Sequence, residues 1–246
     1  MKYNLVMQEE ILSLFLKEIQ RYFQMSDSVI HKARNELKII SYHDKQYVVK
    51  AFKIPHFINR FAYRFIRPSK AKRAYENALK INSFTPKPIG YIEFFRAGLL
   101  SESYFVSEHF AYDFTIREPI EDKSFPDRKA IFKAFGAFTY ALHEADIYHK
   151  DYSPGNVLIQ KRKEGYHFQV VDINRMTFLK LDAKTRMLNF AKQGLHEEDL
   201  KTVIDAYAAL YNQDSQALYT QAQLVTQAHR QRLQLKLKLK ALRGKK

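Results

Sequence analysis

The sequence predicts an α+β chain of two lobes, a small antiparallel sheet with helices followed by a larger, mainly helical part. Three observations carry that reading. Short apolar runs bounded by turn residues occupy positions 29–32, 37–42, 47–52, 89–95 and 103–109. Beyond residue 112, apolar side chains recur instead at steps of three and four, as in Ile131, Phe132, Phe135, Phe138 and Leu142. The chain has 246 residues, 46% of them hydrophobic and 14% aromatic, enough to bury the core of one large domain or of two small lobes. Sheet first and helices afterwards is the pattern of α+β folds, and it places the lobes at 1–108 and 109–246 with a crevice near residue 109.

Each element has a local cause. Residues 7–25 read as a helix because Ile11 or Leu12, Phe15, Ile19 and Tyr22 or Phe23 recur at steps of three and four, and Ser26 and Asp27 end it. The runs at 29–32, 37–42 and 47–52 are joined by turn chemistry at Arg34-Asn35 and His43-Asp44-Lys45, which makes an antiparallel meander. A helix over 57–66 is closed by Pro68, and a second over 69–81 has Ser69 as its N-cap. In the second lobe a helix spans 127–145. A loop with Pro154 and Gly155 then leads to a hairpin of 157–160 and 168–173, joined by the basic turn 161–165. Leu200, Val203, Ile204, Tyr207 and Leu210 mark another helix, and a last one begins near Gln216 and runs into a basic tail that reads as frayed and solvated in preference to the alternative, a membrane anchor.

The chain carries 41 Lys and Arg against 26 Asp and Glu, a formal charge of +15. Residues 50–73 and 221–246 together hold sixteen of the cations and no acid, so the rest is nearly neutral. With no Cys, disulfide frameworks, thiolate zinc sites and Cys nucleophiles are excluded. Glu9 and Glu10 interrupt the apolar stretch that a signal peptide needs, and no apolar run approaches 18 residues, so the expected location is the cytoplasm.

The most informative string runs from Leu142 to Ile159 and contains His149-Lys150-Asp151 followed by Asn156, the pattern H-x-D-x-x-x-x-N. Sixteen residues after Asn156, Asp172 ends an apolar run. Phosphoryl transfer needs a carboxylate to accept the hydroxyl proton, an amide oxygen and a second carboxylate for magnesium, and a cation on the nucleotide phosphates. Asp151, Asn156 and Asp172 supply the first three in the expected order, which calls for ATP and Mg2+ as cofactors. Upstream, Tyr47-Val48-Val49-Lys50 has the shape of V-A-I-K, so Lys50 is the expected phosphate ligand. Glu76, the one acid of the helix over 69–81, is its expected partner, and the backbone around Glu108, between the lobes, is expected to receive the adenine. His149 reads as a buried residue that organises the loop rather than as the base.

The runs 47–81 and 142–159, with Val170-Val171-Asp172-Ile173-Asn174-Arg175-Met176, resemble the bacterial lipopolysaccharide kinase family. The resemblance covers roughly residues 28–210. It implies a protein-kinase-like fold and ATP-dependent phosphorylation of a sugar hydroxyl, of Kdo or of heptose, in a lipid-linked inner core. By motif position it implies Asp151 as base, Asn156 and Asp172 as magnesium ligands, Lys50 on the phosphates and Glu76 orienting Lys50. The chain departs from kinases in having no Gly between Val29 and Tyr42, in Lys150 where H-R-D has Arg, and in Asn174 where D-F-G has Gly, a position where Asn tolerates a left-handed backbone. The segment after Asp172 is short, so control by activation-loop phosphorylation is not expected.

Phe57, Phe61 and Phe65 form a stripe flanked by Arg60, Arg64 and Arg67, which suits either packing into the small lobe or contact with an anionic inner-membrane surface or a lipid A acceptor. Three rival readings remain at this level: a Ser or Thr protein kinase, a kinase-like scaffold, and a nucleic-acid-binding module. The last leaves the carboxylate, amide and Lys set unexplained, and no nucleic acid partner is expected.

Overall fold

The computed structural model describes residues 1–5, 10–32, 35–52 and 67–242. Its contacts divide the chain into two compact units, Met1–Ala111 together with Asp172–Asn174, and Tyr112–Val171 together with Arg175–Lys246. The first unit thus runs past the expected boundary at 108 and includes a short piece of chain that sequence order alone would give to the second.

The first unit is built on a six-stranded antiparallel sheet. Its strands are β1 (Lys2–Leu5), β2 (Val29–Lys32), β3 (Glu36–Tyr42), β4 (Lys45–Ala51), β5 (Pro88–Arg96) and β6 (Leu99–Glu108), in the order β1-β5-β6-β4-β3-β2. The meander and the later strand pair lie where their turn residues and apolar runs put them. His43 and Asp44 in the β3–β4 turn both have positive φ, the two-residue geometry that suits the twist of a tight hairpin. β1 carries no alternating apolar signal, and its place at the sheet edge is fixed by backbone pairing with β5. A side chain at Gly90 would put a Cβ 2.5 Å from the Asn4 carbonyl, so glycine is what lets the two strands close up there.

The single helix expected over 7–25 is two, α1 (Glu10–Lys17) and α2 (Ile19–Met25), meeting at Glu18 with φ −96° and ψ 11°. The break keeps Leu12, Phe15, Leu16, Ile19 and Phe23 all buried against Ile40, Tyr42, Tyr47, Val49, Ile92 and Val106 of the sheet. On the opposite face lies α3 (Lys70–Ile81), whose Ser69 hydroxyl accepts the Lys72 N–H at 3.0 Å, the cap the sequence called for. Ala71, Ala74 and Ala78 are small enough to bring α3 close to the sheet, where Tyr75 packs with Phe52 and Tyr91. The helix expected over 57–66, with Phe57, Phe61, Phe65, Arg60 and Arg64, lies outside the described residues, as does Lys53.

The second unit is mainly helical. It contains β7 (Phe114–Thr115), α4 (Arg117–Glu121), α5 (Arg128–Glu144), β8 (Ile147–His149), β9 (Val157–Arg162), β10 (Gly165–Val170), β11 (Met176–Phe178), α6 (Ala183–Phe190), α7 (Glu197–Tyr211) and α8 (Ser215–Leu242). The strands form two small sheets of their own, β10-β9-β7 and β11-β8. α6 carried no sequence expectation, although Asp182 caps it by accepting the Thr185 N–H at 2.7 Å. α5 turns Ile131, Phe132, Phe135 and Leu142 into a core shared with Val157, Ile159, Phe168, Phe190, Val203 and Tyr207. At the N-terminal end of α5, Arg128 pairs with the buried Asp199 of α7 at 2.7 Å and donates to the Pro119 carbonyl at 2.7 Å. The tail expected to fray is instead helical to Leu242, and it is solvated, since every residue from 231 to 241 is exposed.

α5 and α7 approach closely at Gly136, where a Cβ would lie 2.4 Å from the Val203 carbonyl oxygen. A backbone atom cannot swing aside as a side chain can. Gly136→Ala is therefore expected to destabilise the protein by about 1–3 kcal/mol through overpacking, despite the better helix propensity of Ala. Chemical denaturation should show it, and an unchanged or raised midpoint would contradict the close approach.

Candidate active site

In the first unit, strand alternation decides where Lys50 points. Tyr47 and Val49 face α1 and α2, so Lys50 and Phe52 face α3. Lys50 lies between Leu37 of β3 and Phe105 of β6 in the ladder. Its ammonium donates to Asp172 Oδ1 at 2.6 Å, with side chains 12% and 34% exposed, so two of the expected residues are brought together within this unit. Asp172 has φ 57°, the left-handed conformation that a short polar side chain tolerates. The left-handed residue of this turn is thus Asp172 rather than Asn174, whose amide donates to Asp172 Oδ1 at 3.4 Å.

The expected pairing of Lys50 with Glu76 is not observed. Glu76 sits 3.8 Å from Lys72, one helical turn away on the solvent side of α3, while Lys50 is already neutralised by Asp172. The residue of α3 that reaches this segment is the next one, Asn77, whose amide donates to the Ile173 carbonyl at 2.7 Å. Asn77 falls with Ala74, Ala78 and Ile81 at the spacing of one helix face. A polar residue on an apolar face was the signal that could have found it.

Glu108 ends β6 opposite Tyr47. Its N–H donates to the Lys87 carbonyl at 2.9 Å, its carboxylate meets the Lys87 ammonium at 3.2 Å, and the His109 N–H donates to the Gln46 carbonyl at 2.9 Å.

In the second unit, the loop after β8 holds Asp151 and Asn156. The Asn156 amide nitrogen donates to the Asp151 carbonyl at 2.8 Å, which leaves its Oδ1 as the oxygen able to meet a cation. His149 is fully buried and acts as the scaffold residue expected. Its Nδ1 accepts the Asp151 N–H at 3.1 Å, so the proton resides on Nε2, which donates to the Val171 carbonyl at 2.9 Å. One imidazole thereby ties Asp151 to the residue before Asp172. The Asp151 carboxylate remains 43% exposed, with Arg175 Nη1 at 3.9 Å.

α6 and the residues after it hold the loop's carbonyls. Asn189 donates to the His149 carbonyl at 3.2 Å, Lys192 donates to that of Lys150, and Gln193 donates to that of Tyr152 at 3.1 Å. The Tyr152 hydroxyl bonds Thr139 of α5 at 2.9 Å. Behind Asn189 runs a chain of donors with one direction: Arg186 to the Tyr207 hydroxyl at 3.0 Å, Tyr207 to His143 Nδ1 at 3.0 Å, His143 Nε2 to Asn189 Oδ1 at 3.0 Å. Arg186 is itself held by Glu144 at 2.7 Å. No sequence motif pointed to these residues, because they lie on elements remote in sequence from the loop they hold.

A strand Lys paired with the Asp of an apolar-Asp turn, together with an H-x-D-x-x-x-x-N loop pinned by its own histidine, is the equipment of a kinase-like phosphotransferase. Residues 85–219, more than half of the chain, match the lipopolysaccharide kinase (Kdo/WaaP) family, and the chain belongs to it. The matched stretch includes Glu108, Asp151, Asn156 and Asp172 and begins after Lys50 and Glu76. The chain is 28% identical over 172 residues to the 3-deoxy-D-manno-octulosonic acid kinase of Pasteurella multocida (strain Pm70), covering 65% of this chain and 67% of that protein. Among solved structures, WaaP in complex with acyl carrier protein superposes with a TM-score of 0.60 at 15% identity, over 94% of this chain and 98% of that one, which shows the kinase-like fold. The family activity is phosphoryl transfer to a sugar of the lipopolysaccharide core, with ATP as donor.

Two outcomes test the loop's support. Asn189→Ala removes the partner of His143 Nε2 and one bond to the His149 carbonyl in a buried site, at an expected cost of about 1–3 kcal/mol in denaturation. Burial holds the His143 pKa down from 6.5 to about 4, helped by the nearby Arg186 guanidinium, while the bond to Asn189 opposes the shift. A depressed folded-state value means that the stability from neutral His143 is complete above pH 6.5, declines as pH falls towards 4, and changes no further below that. Ring-nitrogen NMR of His143 should accordingly show titration well below the ordinary range; a midpoint above 6 would contradict the donor chain.

Proposed function

We propose that the chain transfers the γ-phosphoryl group of ATP to a hydroxyl of a 3-deoxy-octulosonic acid residue on a lipid-linked inner-core acceptor. The observation that carries this reading is the loop in which Asn156 and His149 fix Asp151 on both sides of its peptide, within the stretch that matches the family. The choice of sugar rests on the Pasteurella relative. Asp151 would accept the hydroxyl proton as the oxygen attacks phosphorus. Lys50, released from Asp172, would meet the nucleotide phosphates, and the carbonyl side of the Glu108 segment would receive the adenine.

The donor set suits Mg2+. Asn156 Oδ1 and the Asp172 oxygen not engaged by Lys50 are hard oxygen donors, and among the described residues no three His, Asp or Glu gather into a cage of their own. Magnesium is commonly held by one or two carboxylates together with substrate phosphates. When bound there it would neutralise charge on the transferred phosphoryl group. Glu76 would have no part in holding Lys50 in this resting arrangement.

No described helix is long and apolar enough to cross a membrane. An acceptor anchored in lipid favours residence at the inner-membrane surface, and α8 supplies the attraction. Lys236, Lys238 and Lys240 are exposed, as are Leu233, Leu235, Leu237 and Leu239 between them. Residues two apart lie about 200° apart around a helix, so these leucines form no single apolar face. The attraction would therefore be electrostatic, at about 1 kcal/mol per basic residue near the surface, rather than insertion.

Radiolabelled ATP offered with Kdo-lipid A, a heptosylated acceptor and a generic protein substrate tests the reading: label on the first alone is expected. Asp151→Asn should lower turnover by orders of magnitude with little change in stability, and Asp172→Asn should abolish activity or raise the magnesium requirement. Wild-type turnover in both variants would overturn the assignment. Binding to anionic vesicles should weaken as salt is raised and fall when Lys236, Lys238 and Lys240 become Gln, whereas equal binding to neutral vesicles would remove the membrane role.

A further inference from the structure

Two arginines lie against the loop of Asp151, and the phosphoryl-transfer chemistry described above uses neither. Arg175 arrives there through strand pairing. Met176 pairs with His149 in the β8–β11 ladder, so the residue before it stands beside the start of the loop, with its guanidinium 3.9 Å from Asp151 Oδ2. Arg117, at the start of α4, lies over the other end, where a Cβ at Gly155 would come within 2.8 Å of its Nη2. Among the described residues no carboxylate makes a hydrogen bond with either guanidinium.

The contact of Arg175 with Asp151 is a poor resting place for both. At 3.9 Å, with side chains 69% and 43% exposed, it belongs to a class of ion pair worth about 0–1 kcal/mol. It also parks a donor on the carboxylate that an acceptor hydroxyl has to reach. A guanidinium in that position pairs far better with a planar oxyanion that it can grip through two parallel hydrogen bonds.

We propose that Arg175, with Arg117 in support, binds the carboxylate of the acceptor sugar acid and that this exchange frees Asp151 for the hydroxyl. The proposal rests on the sugar-acid kinase reading and deepens it. A sugar acid would present two groups to the loop, the carboxylate that draws Arg175 away and the hydroxyl that takes its place at Asp151. A neutral sugar would leave Arg175 on the base, so the same residue would attract the acidic acceptor and reject the neutral one. Arg175 is a specificity residue here, and the proton still passes to Asp151.

The test compares Kdo-lipid A with the analogue whose sugar carboxylate is a carboxamide, using the full chain as wild type, Arg175→Gln, Arg175→Lys and Arg117→Gln. Wild type should favour the acid by tenfold or more in kcat/KM. Arg175→Gln should raise KM for the acid by about tenfold, leave KM for ATP unchanged and bring the preference close to one, with Arg175→Lys intermediate and Arg117→Gln a smaller loss in the same direction. An undiminished preference in Arg175→Gln, or a rise confined to KM for ATP, would overturn the proposal and, in the second case, give the arginine to the nucleotide phosphates. Calorimetric titration of free Kdo and its carboxamide separates this outcome from failure of the kinase reading. Absence of turnover on every acceptor overturns that reading, whereas equal affinity of wild type for acid and carboxamide overturns the arginine proposal with or without turnover.

Discussion

Irregular backbone can be buried only if each of its carbonyls and N–H groups finds a partner, and the loop from His149 to Asn156 meets that condition with side chains as well as with its own backbone. Asn189, Lys192 and Gln193 take the carbonyls of His149, Lys150 and Tyr152, Asn156 and the Ser153 N–H share that of Asp151, and His149 takes the Asp151 N–H. Once these bonds are made, the Asp151 carboxylate is the part of its residue left facing solvent. The surrounding helices follow from the same requirement. α5 provides Thr139 and His143, α6 provides Arg186 and Asn189, and α7 provides Tyr207, so the apolar packing of three helices is organised around polar groups that have to meet at one place. The one-way order of donors in that set admits a single protonation state of His143, which is why burial and hydrogen bonding agree in keeping it neutral.

The first unit meets a different constraint, which is to hold a cation on a half-buried strand position without leaving it unpaired; in the proposed function that cation would meet phosphate. Asp172 does this by entering the unit on a left-handed turn that Asn77 anchors through the following carbonyl. Lys50 and Asp172 are then neutral as a pair. A nucleotide arriving with its counter-ion would replace each partner by a group of the same sign, so neither Lys50 nor Asp172 would be left unpaired by the exchange. This also accounts for Glu76 remaining at the surface, because a second carboxylate beside Lys50 would have nothing to neutralise.

Much of this was legible in the chain itself. The meander, the Ser69 cap, the long helix before the motif and the hairpin after it follow from periodicity and turn residues. His149, Asp151 and Asn156 stand out because their chemistry depends on close spacing in sequence. What escaped the reading has common physical causes. β1 is held by backbone pairing, which leaves no pattern in four residues, and the break at Glu18 preserves the same apolar face that a continuous helix would have shown. Asn189, Gln193 and Arg186 act on residues about 40 positions away, and nothing local distinguishes them from helix-surface polar residues. Glu76 was singled out as the one acid of its helix, a criterion of composition, whereas Asn77 is marked by its helical face.

Charge around the loop follows from what an acceptor would bring. Arg175 lies beside the Asp151 carboxylate, Arg117 lies against Gly155 at the other end of the loop, and the Lys192 ammonium is turned onto the Lys150 carbonyl. Such a surplus would be a poor choice if the loop had only to recruit a neutral hydroxyl, because cations there would compete for Asp151, the proposed base. It becomes reasonable if the acceptor is itself an anion, since attraction then draws the substrate in and the same attraction removes the competitor from Asp151. The basic tail on α8 would repeat that logic at longer range. Its charges are spread around a helix with no apolar face, so in the proposed function it would hold the protein near an anionic surface without fixing its orientation, and the pairing of guanidinium with carboxylate would be left to set the register of the sugar.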